Sequence, residues 1–219
     1  MTSLLFQRNH APMLKRLISL ALIAASPFAS AQKHRANATD VVVYGGTASG
    51  VITAYAAARE SLHVRLLEPG AHLGGMVTGG HSATDLGNFH IIGGYAREFY
   101  LRAAAHYGVY ELESTPDWHS EPHVDEEIFR QMLREAGVEV VFHERIREHH
   151  GIVPGDHRIQ SITTIDGKQW TAVIFIDCSY EGDLLAQAGV PYVVGREGVS
   201  EFNEDLAGVR AQTPAHQFT

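Results

Sequence analysis

Four residues near the start of the chain have the types and spacing to hold a phosphate and a sugar. Gly45, Gly46 and Gly50 follow a short apolar run in TDVVVYGGTASGVITAYAAARESLHVRLLE, and Glu68 closes a second run eighteen residues after Gly50. Glycine at a strand end permits a tight turn. Without a Cβ, the backbone lets a pyrophosphate approach the amino end of the next helix, where unsatisfied N–H groups and the helix dipole favour an anion. Gly50 allows the helix to pack closely on the strands. An acid at the distance of Glu68 accepts hydrogen bonds from ribose hydroxyls, and its charge disfavours a 2′-phosphate, hence NADP. Thr47 stands where the usual pattern has its second glycine. Its Cβ narrows the approach, and Gly46 beside it restores room. Ser49 completes the turn.

The elements that must position these residues are legible around them. Asp40 to Tyr44 is β-branched and apolar throughout, as a strand buried on both faces requires. Ala48 to Glu60 has helical spacing in Val51, Ala54, Tyr55 and Ala58, and His63 to Leu67 is a second buried strand. This is a β-α-β unit, whose strands are parallel. Pro69 to Gly94 is too rich in glycine for a regular element and reads as a loop that brings backbone close to a ligand. Helices are predicted over Gly94 to Tyr107 and Val124 to Ala136, the latter ended by Gly137. Val138 to Ile146 reads as a strand, and Arg158 to Ile165 with Gln169 to Ile176 as a hairpin around Asp166-Gly167. Asp183 to Ala188 reads as a short helix and Pro191 to Gly195 as a last strand. The expected fold class is α/β, a Rossmann-like three-layer FAD/NAD(P)-binding domain with a parallel sheet and an inserted β-hairpin or meander.

Composition bounds the rest. The 219 residues are 45% hydrophobic and 19% charged, enough for one domain with a real core. A net charge of −8 and no basic cluster argue against a nucleic-acid partner. The single cysteine, Cys178, excludes an intramolecular disulfide or a thiolate metal cluster and reads as a small buried residue. Residues 13–31, MLKRLISLALIAASPFASA, have a basic start, a short apolar stretch and a small-x-small end. That is the layout of a Sec-type signal peptide. Residues 1–31 are therefore expected to be removed after Ala31, leaving no stable membrane span and an exported, periplasmic or extracellular protein. Residues 32–39 form a polar lead-in, and 40–219 the nucleotide-binding domain.

The glycine run after Glu68, EPGAHLGGMVTGG, separates two dinucleotides. A nicotinamide enzyme has no need of it, whereas the ribityl chain and ring of an extended FAD run along such a loop. The stretches VVVYGGTASG, EPGAHLGGMVTGGHSATDLGN, GGYAREFY, EPHVDEEIF, MLREAGVEVVF and FIDCSYEGDLLAQAGVPYVVGRE resemble the secreted FAD-dependent oxidoreductase family of the glutathione-reductase-like fold, some of whose members are labelled xanthan-lyase-related. The resemblance runs from about Asp40 to Gly208. It implies FAD as cofactor, with Gly45, Gly46 and Gly50 at the phosphates and Glu68, followed by Pro69, at the ribose. It implies that Gly74, Gly75 and Met76 form the loop over adenosine and pyrophosphate, and that Thr78, Gly79 and Gly80 near the flavin ring. It sets the backbone of Ile146 against adenine. It makes Asp177 to Gly182 the segment where the chain returns to the cofactor, with Cys178-Ser179-Tyr180 in place of the usual Ala-Thr-Gly. The family's second FAD segment and substrate domain have no match, so the chain is expected to be the N-terminal part of that pattern, incomplete at its C-terminus.

The implied activity is oxidation of a small organic substrate, carbohydrate-related in some members, by hydride transfer to FAD, with electrons passed to an acceptor the sequence does not identify. The alternatives are a non-catalytic FAD-binding fragment and a polysaccharide-lyase-related protein. Of the 14 histidines, His81, His90 and His123 are the candidates for moving a proton beside the flavin. Asp85, Asn88, Tyr180, Glu181 and Asp183 are weaker neighbours. A metal site is not expected: Pro122 breaks the helix that would align His119 with His123, and His149-His150 sit in an exposed turn. There is no G-x-S-x-G nucleophile elbow.

Overall fold

The computed structural model describes residues 39–80, 84, 87–108, 116–204 and 207–208. The leader at 1–31, residues 32–38 of the lead-in, and the candidates His81 and Asp85 lie outside the described residues.

The apolar run after Asp40 becomes β1 (Val41–Tyr44), every residue of which is buried. Alternation sends Val41 and Val43 to one core and Val42 and Tyr44 to the other. A strand with both faces covered must be apolar at every position, and the continuous run is the consequence. Helix α1 (Ala48–Arg59) follows, then β2 (Val64–Glu68). After the glycine loop and a short 3₁₀ turn, α2 (Gly94–His106) and α3 (Pro122–Ala136) lead into β3 (Glu139–Phe142). Strands β4 (Ile152–Gly155), β5 (Arg158–Thr163) and β6 (Gln169–Thr171) come next, then β7 (Ile174–Asp177) and the short helices α4 (Asp183–Gln187) and α5 (Val199–Phe202).

Four strands make a parallel sheet in the order β3-β2-β1-β7, and β4-β5-β6 make an antiparallel one. Helices α1, α2 and α3 cover one face of the parallel sheet through Val51, Ala54, Phe99, Phe129 and Met132. The antiparallel strands cover the other through Ile162, Ile159 and Trp170. The three expected layers are present. Full burial of each such aliphatic side chain contributes about 1.5–3 kcal/mol, so the two cores are the main source of stability.

Several boundaries differ from expectation, each for a physical reason. Helix α3 starts at Pro122, two residues early, because proline at the first helical position lacks only an N–H that would be unpaired there anyway. Gly137 ends it at φ 74°, as expected of a left-handed C-cap. The strand read over 138–146 stops at Phe142. His143 turns at φ 61°, and Ile146 returns only as a single bridge to Thr164. The second arm of the hairpin is short. It ends at Thr171, and the following apolar residues leave for the parallel sheet, where Ile174 pairs with Val41. An unbroken apolar run has no period to say which sheet it joins. Strand β4, not expected, tolerates Pro154 because it is an edge strand with an irregular register there. Residues 191–195 form no strand, and Val193 and Val194 are each 89% exposed.

Candidate dinucleotide-binding site

The parallel order sets the carboxyl ends of β1, β2 and β7 side by side, because Tyr44 pairs with both Leu67 and Asp177. The chain leaves all three strands there, at the edge where α/β sheets bind ligands. Gly45 adopts φ 96°, and a Cβ on it would come within 2.7 Å of the Ser179 nitrogen. The turn therefore needs glycine twice over, for its conformation and for the strand beside it. A Cβ on Gly50 would fall on the Gly45 carbonyl, which is the close helix–turn contact expected of this glycine.

Glu68 organises the turn. The amide of Gly46 donates to its Oε2 at 2.6 Å, and that of Gly70 to Oε1 at 2.5 Å. A Cβ on Gly46 would meet the same Oε2 at 2.7 Å. Each carboxylate oxygen has two lone pairs. Each gives one to the backbone and keeps one, and two hydroxyls of a ribose would use the two that remain.

Thr47 has a different part from the one its position suggests. Its hydroxyl accepts from the Gly50 amide at 3.2 Å, capping α1, and donates to the Cys178 carbonyl at 2.8 Å. The residue is 8% exposed. The side chain is turned into the protein, toward the end of β7, so its bulk does not narrow the turn's outer face. Cys178 itself, expected to be buried, is half-buried and packs against the helix-side core.

The glycine loop closes over this turn. Gly74 bridges to Thr47, and its amide donates to the Gly46 carbonyl at 2.7 Å. Gly74 and Gly75 both have positive φ, 97° and 55°. The Thr78 hydroxyl donates to the Leu73 carbonyl and tightens the loop. From α3, Glu126 accepts the Leu73 amide at 3.3 Å and contacts His72 Nδ1 at 3.0 Å. The Met76 amide donates to the Tyr180 hydroxyl at 2.7 Å. Gly79 and Gly80 are exposed beyond Thr78.

The return segment is equally ordered. Asp177 Oδ1 accepts from the Ser179 amide and hydroxyl at 2.9 and 2.7 Å, and Oδ2 from the Leu185 amide at 2.8 Å. Gly182, at φ 72°, donates its amide to the Ser179 hydroxyl at 3.0 Å. Asp177 and Gly182 thus shape the turn that backs Gly45.

Ile146, whose backbone the resemblance set against adenine, is 2% exposed, and its amide donates to the Tyr44 hydroxyl at 3.1 Å. Burial pushes the Tyr44 phenol up to about 12, so it stays neutral at ordinary pH. Sequence reasoning missed Tyr44 because an apolar strand run gives no signal for a hydroxyl that bonds 102 residues away. It also missed the buried Glu144, 1% exposed, which accepts from Lys168 Nζ at 2.5 Å and Trp170 Nε1 at 3.1 Å and fastens the antiparallel sheet to this corner.

The remaining candidates are dispersed. His123 is exposed and lines a groove of about 430 Å³ between α2 and α3 with Arg102, His106 and Gln131. Asn88 and His90 lie exposed near the 3₁₀ turn, and Glu181 is exposed on the return segment. Asp183 opens α4. Among the described residues no group of three His, Cys, Asp or Glu side chains is placed to hold a metal, and no helix is long and apolar enough to cross a membrane.

A family model described as FAD dependent oxidoreductase matches residues 40–218. Among solved structures, the chain is similar to L-proline dehydrogenase from P.horikoshii, with 15% identity over 74% of this chain and 58% of that one and a TM-score of 0.53. It is also similar to the flavin-dependent brominase Bmp2, with 17% identity over 70% of this chain and 41% of that one and a TM-score of 0.52. At such identities the likeness is one of fold. The chain spans 58% and 41% of the lengths of these two proteins. A search of curated proteins returns no match.

Proposed function

This chain belongs to the FAD dependent oxidoreductase family, and from that premise we propose that it supplies the adenosine and pyrophosphate site of an exported flavoenzyme that oxidises a small organic substrate. The observation that carries the reading is the Glu68 carboxylate, held by two amides of the phosphate-turn corner at 2.6 and 2.5 Å with one lone pair left on each oxygen. The residues present fit FAD. A Cβ on Gly46 would meet Glu68 and Leu73, on Gly74 Thr78 and Phe129, and on Gly75 Tyr180, so these glycines let the acid and the loop close on the turn, and the acid suits a ribose with free hydroxyls.

Bound FAD would supply the hydride-accepting chemistry, with the electrons leaving to an acceptor. The chain's own residues bind and orient. Gly45 and Gly46 would let the diphosphate reach the amino end of α1, Glu68 would hold the ribose, and the Gly74–Gly80 loop would cover the cofactor beyond the adenosine. The negative charge of Glu68 disfavours a 2′-phosphate. A substrate related to carbohydrate, a kinship with xanthan-lyase-related proteins, and export after cleavage behind Ala31 are parts of the same proposal, supported by the sequence features that suggested them. We assign no proton-transfer step to His123, which stands on the α2–α3 groove.

The test is the absorbance spectrum of the purified full chain after addition of FAD and gel filtration. Flavin bands that travel with the protein support the reading, and anaerobic bleaching by candidate sugars and alcohols then seeks the substrate. Colourless protein that leaves the fluorescence of added FAD unquenched refutes it. Amino-terminal sequencing of the secreted product checks the cleavage: a first residue of Gln32 is expected.

A further inference from the structure

Tyr180 is not used by the reading above, although its side chain joins the two walls of the turn. The return segment forms one wall. The Thr47 hydroxyl is bound to the Cys178 carbonyl at 2.8 Å, and the Ser179 nitrogen lies 2.7 Å from where a Cβ on Gly45 would stand. The glycine loop forms the other, with the Gly74 amide bound to the Gly46 carbonyl at 2.7 Å. Gly45 to Thr47 lies between. Tyr180 starts from the first wall, and its hydroxyl accepts the Met76 amide of the second at 2.7 Å. Its phenol also occupies the space that a Cβ on Gly75 would take.

Core packing does not account for this placement, because Tyr180 is 57% exposed. The turn that aims it is over-determined by Asp177, Ser179 and Gly182 through four hydrogen bonds. A phenol that accepts from an amide retains its own O–H to donate. The acceptors that a dinucleotide would bring to the amino end of α1 are phosphate oxygens.

We propose that Tyr180 is a positioning residue that straps the glycine loop to the return segment across the phosphate turn, holding the loop closed on a bound pyrophosphate and retarding its release. The proposal rests on the FAD reading. The strap adds no chemistry to the flavin. It acts on residence time, since opening the Tyr180–Met76 hydrogen bond must precede departure of the diphosphate.

The experiment compares the wild-type chain with Tyr180→Phe, which keeps the ring and deletes the hydroxyl, by stopped-flow fluorescence with FAD and, separately, by competition with ADP. Loss of the strap is expected to speed release of both ligands about tenfold, with association changed by less than about twofold, as for removal of one or two hydrogen bonds made only in the closed state. Gly75→Ala, whose methyl displaces the phenol, is expected to show the same acceleration. Hydrogen exchange of the peptide containing Met76 is expected to be faster in free Tyr180→Phe than in free wild type. Equal release rates, a loss confined to FAD and absent for ADP, or faster association with tighter binding (a plug removed) each overturn the strap. Failure of the cofactor reading is seen separately, in wild-type chain that takes up neither FAD nor ADP. In that case unaltered Met76 exchange in the variant also removes the strap, and altered exchange leaves a loop fastener with no diphosphate to hold, which overturns the proposal too.

Discussion

The carboxylate of Glu68 and the amide of Gly46, 22 residues apart in the chain, meet at 2.6 Å. The acid at the end of β2 and the turn at the end of β1 are thus one unit. On the proposed function, the acid that would accept the ribose is aimed by the same backbone that would receive the diphosphate. That coupling means the two halves of the motif fail together.

Glu68→Gln sets an NH₂ against one of two backbone donors, Gly46 or Gly70. Loss of charge-assisted hydrogen bonds is worth about 1.5–3 kcal/mol. FAD affinity is expected to fall about 10- to 100-fold, measured by fluorescence quenching. Gly46→Ala, whose methyl would stand 2.7 Å from Oε2, is expected to abolish binding. Unchanged affinity in both variants would show that this acid is not the ribose site.

Thr47 is a helix cap with a second bond to another strand. Thr47→Val keeps the shape and removes both bonds. Loss of such a cap lowers stability by about 0.5–2 kcal/mol, a fall in Tm of about 1–8 °C for a domain of this size. Thr47→Ser is expected to melt with wild type. Thermal denaturation followed by circular dichroism decides it, and a Val variant as stable as the Ser variant would show that the cap contributes nothing.

The pair Glu144–Lys168 is lopsided in exposure, 1% against 57%. Removing the buried acid strands the indole N–H of Trp170 and leaves the hydroxyl of Thr164 only its acceptors at Asp166 and Lys168. Glu144→Ala is expected to lower stability by about 2–4 kcal/mol. Lys168→Met removes a solvent-screened partner and is expected to lower it by clearly less than the loss of the acid. Urea denaturation of both variants reads the asymmetry, and equal losses would refute it.

Asp125 is 5% exposed, and burial pushes its carboxyl pKa up, against the Ser120 hydroxyl that donates to it at 2.5 Å. A raised carboxyl pKa means that the folded state prefers the protonated form. The group therefore lowers stability at neutral pH, and this penalty disappears as pH falls through its folded pKa toward the ordinary value of 3.8. Asp125→Asn keeps an acceptor for Ser120 and is expected to melt higher than wild type at pH 7, with the gap closing near pH 4. A gap that is constant with pH would exclude the titration as its cause.

Much of the site was legible because its requirements are local. A strand buried on both faces must be apolar at every position, and Val41–Tyr44 is. Gly45 and Gly137 were readable because each occupies a backbone conformation that glycine enters most easily, at φ 96° and 74°. Glu68 was readable because a β-α-β unit of ordinary length fixes its distance from the turn. The readings that failed lack such a constraint. Residues 172–176 are apolar and aperiodic, so nothing local decided between extending β6 and joining the parallel sheet. Val193 and Val194 have strand propensity, and no neighbouring strand pairs with them.

By itself the sequence determined the parallel β-α-β core, the glycine turn and the acid that faces it, because helix and strand periods and left-handed turns are encoded within a few neighbouring residues. Only the tertiary structure decided what the side chains around that turn do. Thr47 caps α1 and binds Cys178 across 131 positions, and Tyr180 binds Met76 across 104. Those hydrogen bonds exist because β7 lies beside β1 in register, with Asp177 opposite Tyr44. Register between distant strands is set by burial of both sheet faces at once, a condition on the whole chain that no short stretch of it carries.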